Sequence, residues 1–197
     1  MIAALYVSRK GPYWDRPGVD AWDEERDARG YPGSYPVVAH PPCARWCRLA
    51  KFVESQTGHA VGDDGGCFAS ALANVRKWGG VLEHPAWSLA WAAHDLTAPP
   101  ARGWHKDFDG GWCCEVAQSA YGHRAKKLTW LYYVGDCPPP ALDWSKPNGS
   151  MVVGHAQRRG DGSIWRDNRK RMPKSEAMCT PEAFAELLIS LAESSRR

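Results

Sequence analysis

The chain of 197 residues suits one folded domain, and its 44 % apolar content is enough for a sizeable core. No apolar stretch approaches the roughly 18 residues of a membrane helix, and no basic region precedes the apolar N-terminus, so we expect a soluble cytoplasmic protein with no membrane partner. The net charge of +3 excludes a general polycation, and seven cysteines, an odd number for a disulfide framework, are expected to be reduced.

Strands and helices alternate along the predicted chain, as in an α/β domain. In chain order, the predicted elements are a strand at 3–7, a short helix at 22–29, a buried strand at 37–39, helices at 45–54 and 67–78, a strand at 81–82, a helix at 87–96, strands at 112–118 and 128–134, and a helix at 180–193 with Thr180 as its N-cap. We therefore predict a single domain over residues 1–197 with an irregular basic insert at 136–175.

Two of the predicted strands end in chemically useful side chains. The strand at 37–39 stops at Pro41-Pro42 and presents Cys43, and the strand at 81–82 ends in Glu83. A right-handed crossover through the helix at 67–78 would make these strands parallel neighbours, so that Cys43 and Glu83 would face one cleft. The structural alternative is an inert buried cysteine and an ion-paired glutamate.

Three further features of the sequence bear on function. His40 and His84 precede prolines at the two strand ends, where they either orient substrate and tune the thiol or are simply packed and hydrogen-bonded. A zinc site would draw on Cys43-x₃-Cys47, Cys113-Cys114, His84 and His123, but no pair has Cys-x₂-Cys spacing, so we predict no metal. A local cationic surface for phosphates is predicted from Arg158, Arg159, Arg166, Arg169, Lys170, Arg171 and Lys174.

The ordered motifs resemble those of the DNA cytosine-C5 methyltransferases over residues 36–135. The family's Pro-Pro-Cys motif after a strand is matched by Pro41-Pro42-Cys43, and its Glu-Asn-Val strand end by Glu83-His84-Pro85, which keeps only the acid. The family's Tyr-Gly-Val-Pro-Gln-x-Arg-x-Arg motif before a hydrophobic strand is matched in part by Tyr121-Gly-His-Arg-Ala-Lys-Lys127. The match is therefore a set of short motifs in the family's order.

The resemblance implies a Rossmann-like, methyltransferase-type mixed sheet with flanking helices and a reduced N-terminal half. Cys43 would be the nucleophile that adds to a pyrimidine in DNA, and Glu83 the acid near ring atom N3. The base would be flipped out, with the loop at 62–66 filling the gap. Candidate substrate-binding residues are Pro41, Pro42, His84, Arg124 and Lys127, and candidate nucleic-acid contacts are Arg45, Arg169, Lys170 and Arg171.

The sequence departs from the family at the site of S-adenosylmethionine, the implied cofactor. The family's Phe-x-Gly-x-Gly turn is replaced by Val7-Ser-Arg-Lys-Gly-Pro-Tyr13, so Tyr6 and Gly11 are the only candidate cofactor-binding residues. The target-recognition domain is missing or reduced to residues 136–172. Two alternatives therefore stay open: an enzyme that exchanges or hypermodifies a base without adenosylmethionine, and a non-catalytic nucleic-acid-binding relative.

Overall fold

The computed structural model describes residues 1–47, 50–153, 157–158, 164–165 and 168–196, with the backbone alone at 157–158 and 164–165. The strands are β1 (Ile2–Leu5), β2 (Val19–Trp22), β3 (Val37–Ala39), β4 (Gly80–Pro85), β5 (His105–Lys106), β6 (Trp112–Ala117), β7 (Leu128–Val134), β8 (Met151–Val152), β9 (Gln157–Arg158), β10 (Ile164–Trp165) and β11 (Lys170–Arg171). The α-helices are α1 (Ala50–Thr57), α2 (Cys67–Trp78), α3 (Leu89–Ala93), α4 (Lys174–Ala177) and α5 (Glu182–Ser194).

Seven strands form one mixed sheet in the order β2-β1-β3-β4-β7-β6-β5. The first four in this order run parallel, whereas β7 runs antiparallel to both β4 and β6. The chain leaves β1 towards β2 on one side and then crosses back to β3 on the other. The strand order therefore reverses between β1 and β3, and ligands of open α/β sheets bind at the carboxyl edge beside such a reversal.

Helices cover both faces of the sheet because alternate strand residues point to opposite sides. One core lies beneath α2 and α3, where Phe68, Leu72 and Trp91 are fully buried against Leu82. The other core lies beneath α5. The mixed α/β class is thus as expected, and α2 and β7 have the predicted bounds because their periodicity is strong.

The predicted helix at 22–29 is wrong. Trp22 closes β2, and only a 3₁₀ turn at Ala28–Gly30 follows. Asp23 accepts the backbone N–H of Arg26 at 2.9 Å, and Asp27 takes a left-handed conformation. Such local side-chain bonds to the backbone compete with a helix.

Three other predicted helices have different bounds in the structure. The helix predicted at 45–54 is observed as α1, and the helix predicted at 87–96 is the shorter α3. Helix α5 begins at Glu182, and Pro181 rather than the predicted Thr180 occupies its N-cap position. The observed helix ends therefore differ from the predicted ones by one to five residues, since apolar periodicity does not define the terminal turns of a helix.

The insert at 136–175 is not wholly irregular. Strands β8 and β11 pair in parallel, and Ala125 bridges to Gly149 and Met151. A small core of Ala125, Met151 and Met172 holds this basic module, which we define as residues 123–127, 149–152 and 169–172. Arg159 and Arg166 of the predicted cationic surface lie outside the described residues, as does the side chain of Arg158. Within the described ranges, no helix has the length and apolar character needed to cross a membrane.

Candidate active site at the carboxyl edge of the sheet

The pairing of β3 with β4 brings the two reactive side chains to the same edge of the sheet. Val37 lies opposite Gly80 and Ala39 opposite Leu82, so the chain after each strand leaves at the same end. A methyl group at Gly80 would lie 2.0 Å from a β3 backbone oxygen, so glycine permits this close pairing. Cys43 follows β3 on the Pro41-Pro42 turn, and Glu83 lies near the end of β4.

Glu83 is a largely buried carboxylate with a hydrogen-bond donor on each oxygen. Its side chain is 12 % exposed, with Oε2 2.9 Å from Nδ1 of His40 and Oε1 3.3 Å from Nε2 of Gln118. Burial raises the pKa of this carboxyl group, but the bond with His40 and the charge of Lys127 outweigh it, so the pKa lies below its ordinary value. Glu83 is therefore ionised at neutral pH.

A row of polar side chains crosses the sheet beside Glu83 on the α5 face. The hydroxyl of Tyr13 lies 2.8 Å from Nε2 of His40, and Gln118 also donates to Oγ1 of Thr129 at 3.0 Å. Sequence reasoning missed Tyr13 and Gln118, because neither carries a local motif. Tyr13 lies in the loop between β1 and β2, and Gln118 directly follows β6, so no signal in the sequence could have identified either residue.

Cys43 is exposed and lies in the electrostatic range of Glu83 and Lys127. The pKa of its thiol is above the ordinary value, chiefly because surrounding protein displaces water from the sulfur, and then because the negative charge of Glu83 opposes ionisation. Lys127 acts in the opposite direction. Cys43 is thus exposed as a residue, although protein atoms surround its sulfur. The thiol is reachable but mostly protonated at neutral pH.

His84 lies near the Pro41-Pro42 turn, on the face of the sheet opposite Glu83. It is 1 % exposed, its Nδ1 lies 2.7 Å from the hydroxyl of Ser88, and its ring packs edge-on against Phe68. Burial lowers the pKa of His84 to about 4, although the carbonyl groups of both prolines favour the protonated ring. His84 is therefore better explained as a packed, hydrogen-bonded residue of the core than as a residue that binds substrate directly.

Two bulky residues flank the site where β4 and β7 separate. The last bond between these strands runs from the Ala86 N–H to the Leu128 carbonyl at 3.0 Å. Just beyond it, Trp87 and Lys127 take φ values of 61° and 33°, which are unusual for residues with large side chains. Nζ of Lys127 donates to the Cys179 carbonyl at 3.4 Å, and Trp87 is 47 % exposed. Lys127 therefore acts on the Glu83 carboxylate through its charge, whereas the indole of Trp87 packs against Trp130, with 6.4 Å between ring centroids.

The other predicted contacts are Arg45 and the cations of the basic module. Arg45 is half-buried in the turn after Cys43, whereas Arg124 is exposed and ion-paired with Glu176 at 2.9 Å. Within the basic module, Arg169 donates to the Gly149 carbonyl at 3.1 Å. Strand β11, Lys170–Arg171, is exposed. Strand β8 pairs with β11 and is bridged to Ala125, so the cations from the insert lie next to the loop that carries Arg124 and Lys127.

A cleft opens at the strand-order reversal. This cleft of about 1030 Å³ is bordered by Pro42, the residue before Cys43. Its other lining residues include Tyr6, which was predicted there, but not Gly11. The charged lining residues, five acidic and three basic, are Asp23, Glu24, Glu25, Asp27, Asp64, Arg9, Lys10 and Arg29.

The acids after β2 were not predicted as site residues, because the sequence pattern predicts a helix at 22–29. Arg9 pairs with Asp23 at 2.8 Å and also with Glu25, while Arg29 pairs with Asp27 at 2.7 Å. A short strand followed at once by acids was the signal in the sequence. The two cations reduce the excess of negative charge in the cleft without abolishing it.

No three metal-ligating side chains among the described residues are placed to hold a metal ion. Comparisons of the chain with protein-family models, with curated proteins and with solved structures give no match.

Proposed function

We propose that this protein modifies bases in DNA, with Cys43 adding to a flipped-out pyrimidine in a reaction of the cytosine-C5 methyltransferase type. The observation that carries the proposal is that the exposed residue Cys43 and the hydrogen-bonded Glu83 carboxylate interact electrostatically at adjacent ends of two parallel strands. A Rossmann-like, methyltransferase-type fold is part of the proposal. Four parallel strands, a reversal between β1 and β3, and an antiparallel β6–β7 hairpin support it.

The proposed reaction depends on addition at ring carbon C6. The Cys43 sulfur forms a bond to C6, the C5–C6 double bond opens, and the negative charge spreads towards N3. Glu83 would hold a proton at N3 and so stabilise the adduct. Lys127 favours the thiolate of Cys43 electrostatically, which offsets part of the cost of burial and of the Glu83 charge.

The cleft at the strand-order reversal fits S-adenosylmethionine in three respects. Its volume suits a nucleoside-sized ligand, Glu24 and Asp23 follow β2 where acids bind ribose hydroxyls, and its acidic excess favours a ligand with positive charge. Tyr6, with φ of 60°, makes the left-handed turn after β1 without glycine. When bound, adenosylmethionine supplies an electrophilic methyl group, and Pro42 places Cys43 next to that cleft.

The proposed DNA contact is the basic module, which includes Arg124 and Lys127. Exposed cations on one side of the site bind phosphates without reading sequence. Trp87 presents an aromatic surface beside them, and such surfaces stack on unpaired bases. A duplex would therefore lie across the carboxyl edge of the sheet with the target base directed towards Cys43.

Mass spectrometry tests the proposal directly. Unmodified DNA is incubated with the protein and adenosylmethionine, digested to nucleosides and compared with DNA treated with Cys43→Ala or Cys47→Ala protein. We expect a new modified pyrimidine nucleoside with wild type and with the Cys47→Ala control, and none with Cys43→Ala. Equal product from the Cys43→Ala variant would contradict the nucleophilic role.

A second candidate is an enzyme that uses the same thiolate and carboxylate to exchange or hypermodify a base without adenosylmethionine. The observation that favours it is that the stretch 7–13 after β1 contains one glycine, Gly11, and that this glycine does not line the cleft. Equilibrium dialysis with radiolabelled adenosylmethionine separates the two candidates. Binding that weakens in an Asp23→Asn variant supports the methyltransferase type, and no binding at millimolar ligand supports the second candidate.

A further inference from the structure

We propose that His40 is a positioning residue for Glu83 and stores the proton that Glu83 gives to the base, an inference that rests on the proposed function. A carboxylate that is ionised at neutral pH has no proton of its own to donate. The nearest hydrogen-bonded group able to supply one is the imidazole at the end of β3, 2.9 Å from Oε2. The exposed fractions of the two side chains, 13 % and 12 %, limit exchange with water.

The imidazole ring of His40 is held at both nitrogens. Nδ1 faces Glu83, and Nε2 lies 2.8 Å from the hydroxyl of Tyr13, whose ring centroid is 5.2 Å from that of His40. Tyr13 is only 2 % exposed, so its phenol is fixed by packing under α5. Rotation of the imidazole would break two hydrogen bonds at once, and its orientation towards Glu83 is therefore set by the fold.

The proton on the Glu83 side is the one that moves. Burial raises the pKa of Tyr13 well above its ordinary value, so the phenol stays neutral and the Nε2 side is closed to proton transfer. Three other titratable groups interact electrostatically with Glu83, namely Lys127, His84 and Cys43. Two charged groups act on Tyr13, the other neighbour of His40, namely Arg16 and Glu182. Of these, His84 is neutral at physiological pH and Lys127 is bonded to the Cys179 carbonyl.

The step balances in protons and electrons. In the reactive state His40 is an imidazolium that donates from Nδ1 to Glu83 and from Nε2 to the Tyr13 oxygen. The Cys43 thiol first loses its proton to water. As the thiolate sulfur bonds to C6 and the C5–C6 double bond opens, the Nδ1 proton of His40 passes to the Glu83 carboxylate and from there to N3, so Glu83 ends ionised, as it began. The imidazole ends neutral, still donating from Nε2, and the proton returns along the same path when the sulfur–C6 bond breaks.

Proton NMR of the free protein tests the pair without any substrate. We expect a downfield signal from the Nδ1–H of His40 that disappears in His40→Asn and Glu83→Gln and shifts in Tyr13→Phe. The exposed His105 on the edge strand β5 provides a control, since His105→Gln should leave the signal unchanged. Absence of a Glu83-dependent signal in folded wild-type protein would overturn the inference about His40 while leaving the proposed function standing.

Turnover measurements test the proton store. His40→Asn places an amide near Nδ1 but cannot titrate, so we expect turnover to fall about 100-fold, the KM for DNA to change less than threefold, and one ionisation to vanish from the pH–rate profile. Thermal unfolding verifies that the variant is folded. Wild-type turnover and an unchanged pH profile in His40→Asn would overturn the proposal. No product from wild-type protein would instead overturn the proposed function, with the NMR result deciding the His40–Glu83 pairing independently.

Discussion

The stability of this protein should depend on pH through His84. The ring is 1 % exposed among Phe68, Trp91 and Ser88, and its pKa is lowered from 6.5 to about 4 by burial. Between these two pH values the His84 ring binds a proton in the unfolded chain but not in the folded protein. The free energy of unfolding therefore decreases as the pH falls from about 6.5 to about 4, and the decrease amounts to about 3 kcal/mol.

Urea unfolding at a series of pH values from 4 to 8 measures this effect. The free energy of unfolding of wild type should fall through that window more steeply than that of His84→Gln, which carries no titrating ring. Exposed His105 is the matched control, so His105→Gln should follow the wild-type curve. The comparison of variants cancels the carboxylates that also titrate in acid. Parallel curves for wild type and His84→Gln would refute the assignment of a neutral, desolvated ring.

Two further predictions concern the sheet and the basic module. Gly80→Ala should destabilise the fold by several kcal/mol, since the added carbon would lie 2.0 Å from a β3 backbone oxygen. Gly30 has open space around it, so the control variant Gly30→Ala should unfold in urea at nearly the wild-type midpoint. Replacing both Lys170 and Arg171 with glutamine should weaken the salt dependence of DNA binding, reducing the magnitude of the slope of log K against log salt by about 1 to 2. The control variant Lys77→Gln should keep the wild-type slope. An unchanged slope in the double variant would place the DNA elsewhere.

Local patterns predicted the parts of the fold that local physics controls. The apolar spacing from Phe68 to Val75 specifies one buried helical face, and the β-prone run of β7 specifies a strand, so both have the expected bounds. The Pro41-Pro42 pair ends β3 for steric reasons that need no partner. Where side chains bond to the backbone, as at Asp23, the pattern misled, because composition alone does not distinguish a helix from a loop rich in caps.

By itself, the sequence determined that a thiol and a carboxyl group each follow a short buried strand, because prolines, glycines and apolar runs act within a few residues. Only the tertiary structure decided what surrounds them. His40 meets Glu83 across 43 positions, Tyr13 meets His40 across 27, and Gln118 reaches Glu83 across 35. These contacts exist because strand order and register bring distant residues to one edge, and that pairing is set by the packing of the whole sheet rather than by any local pattern.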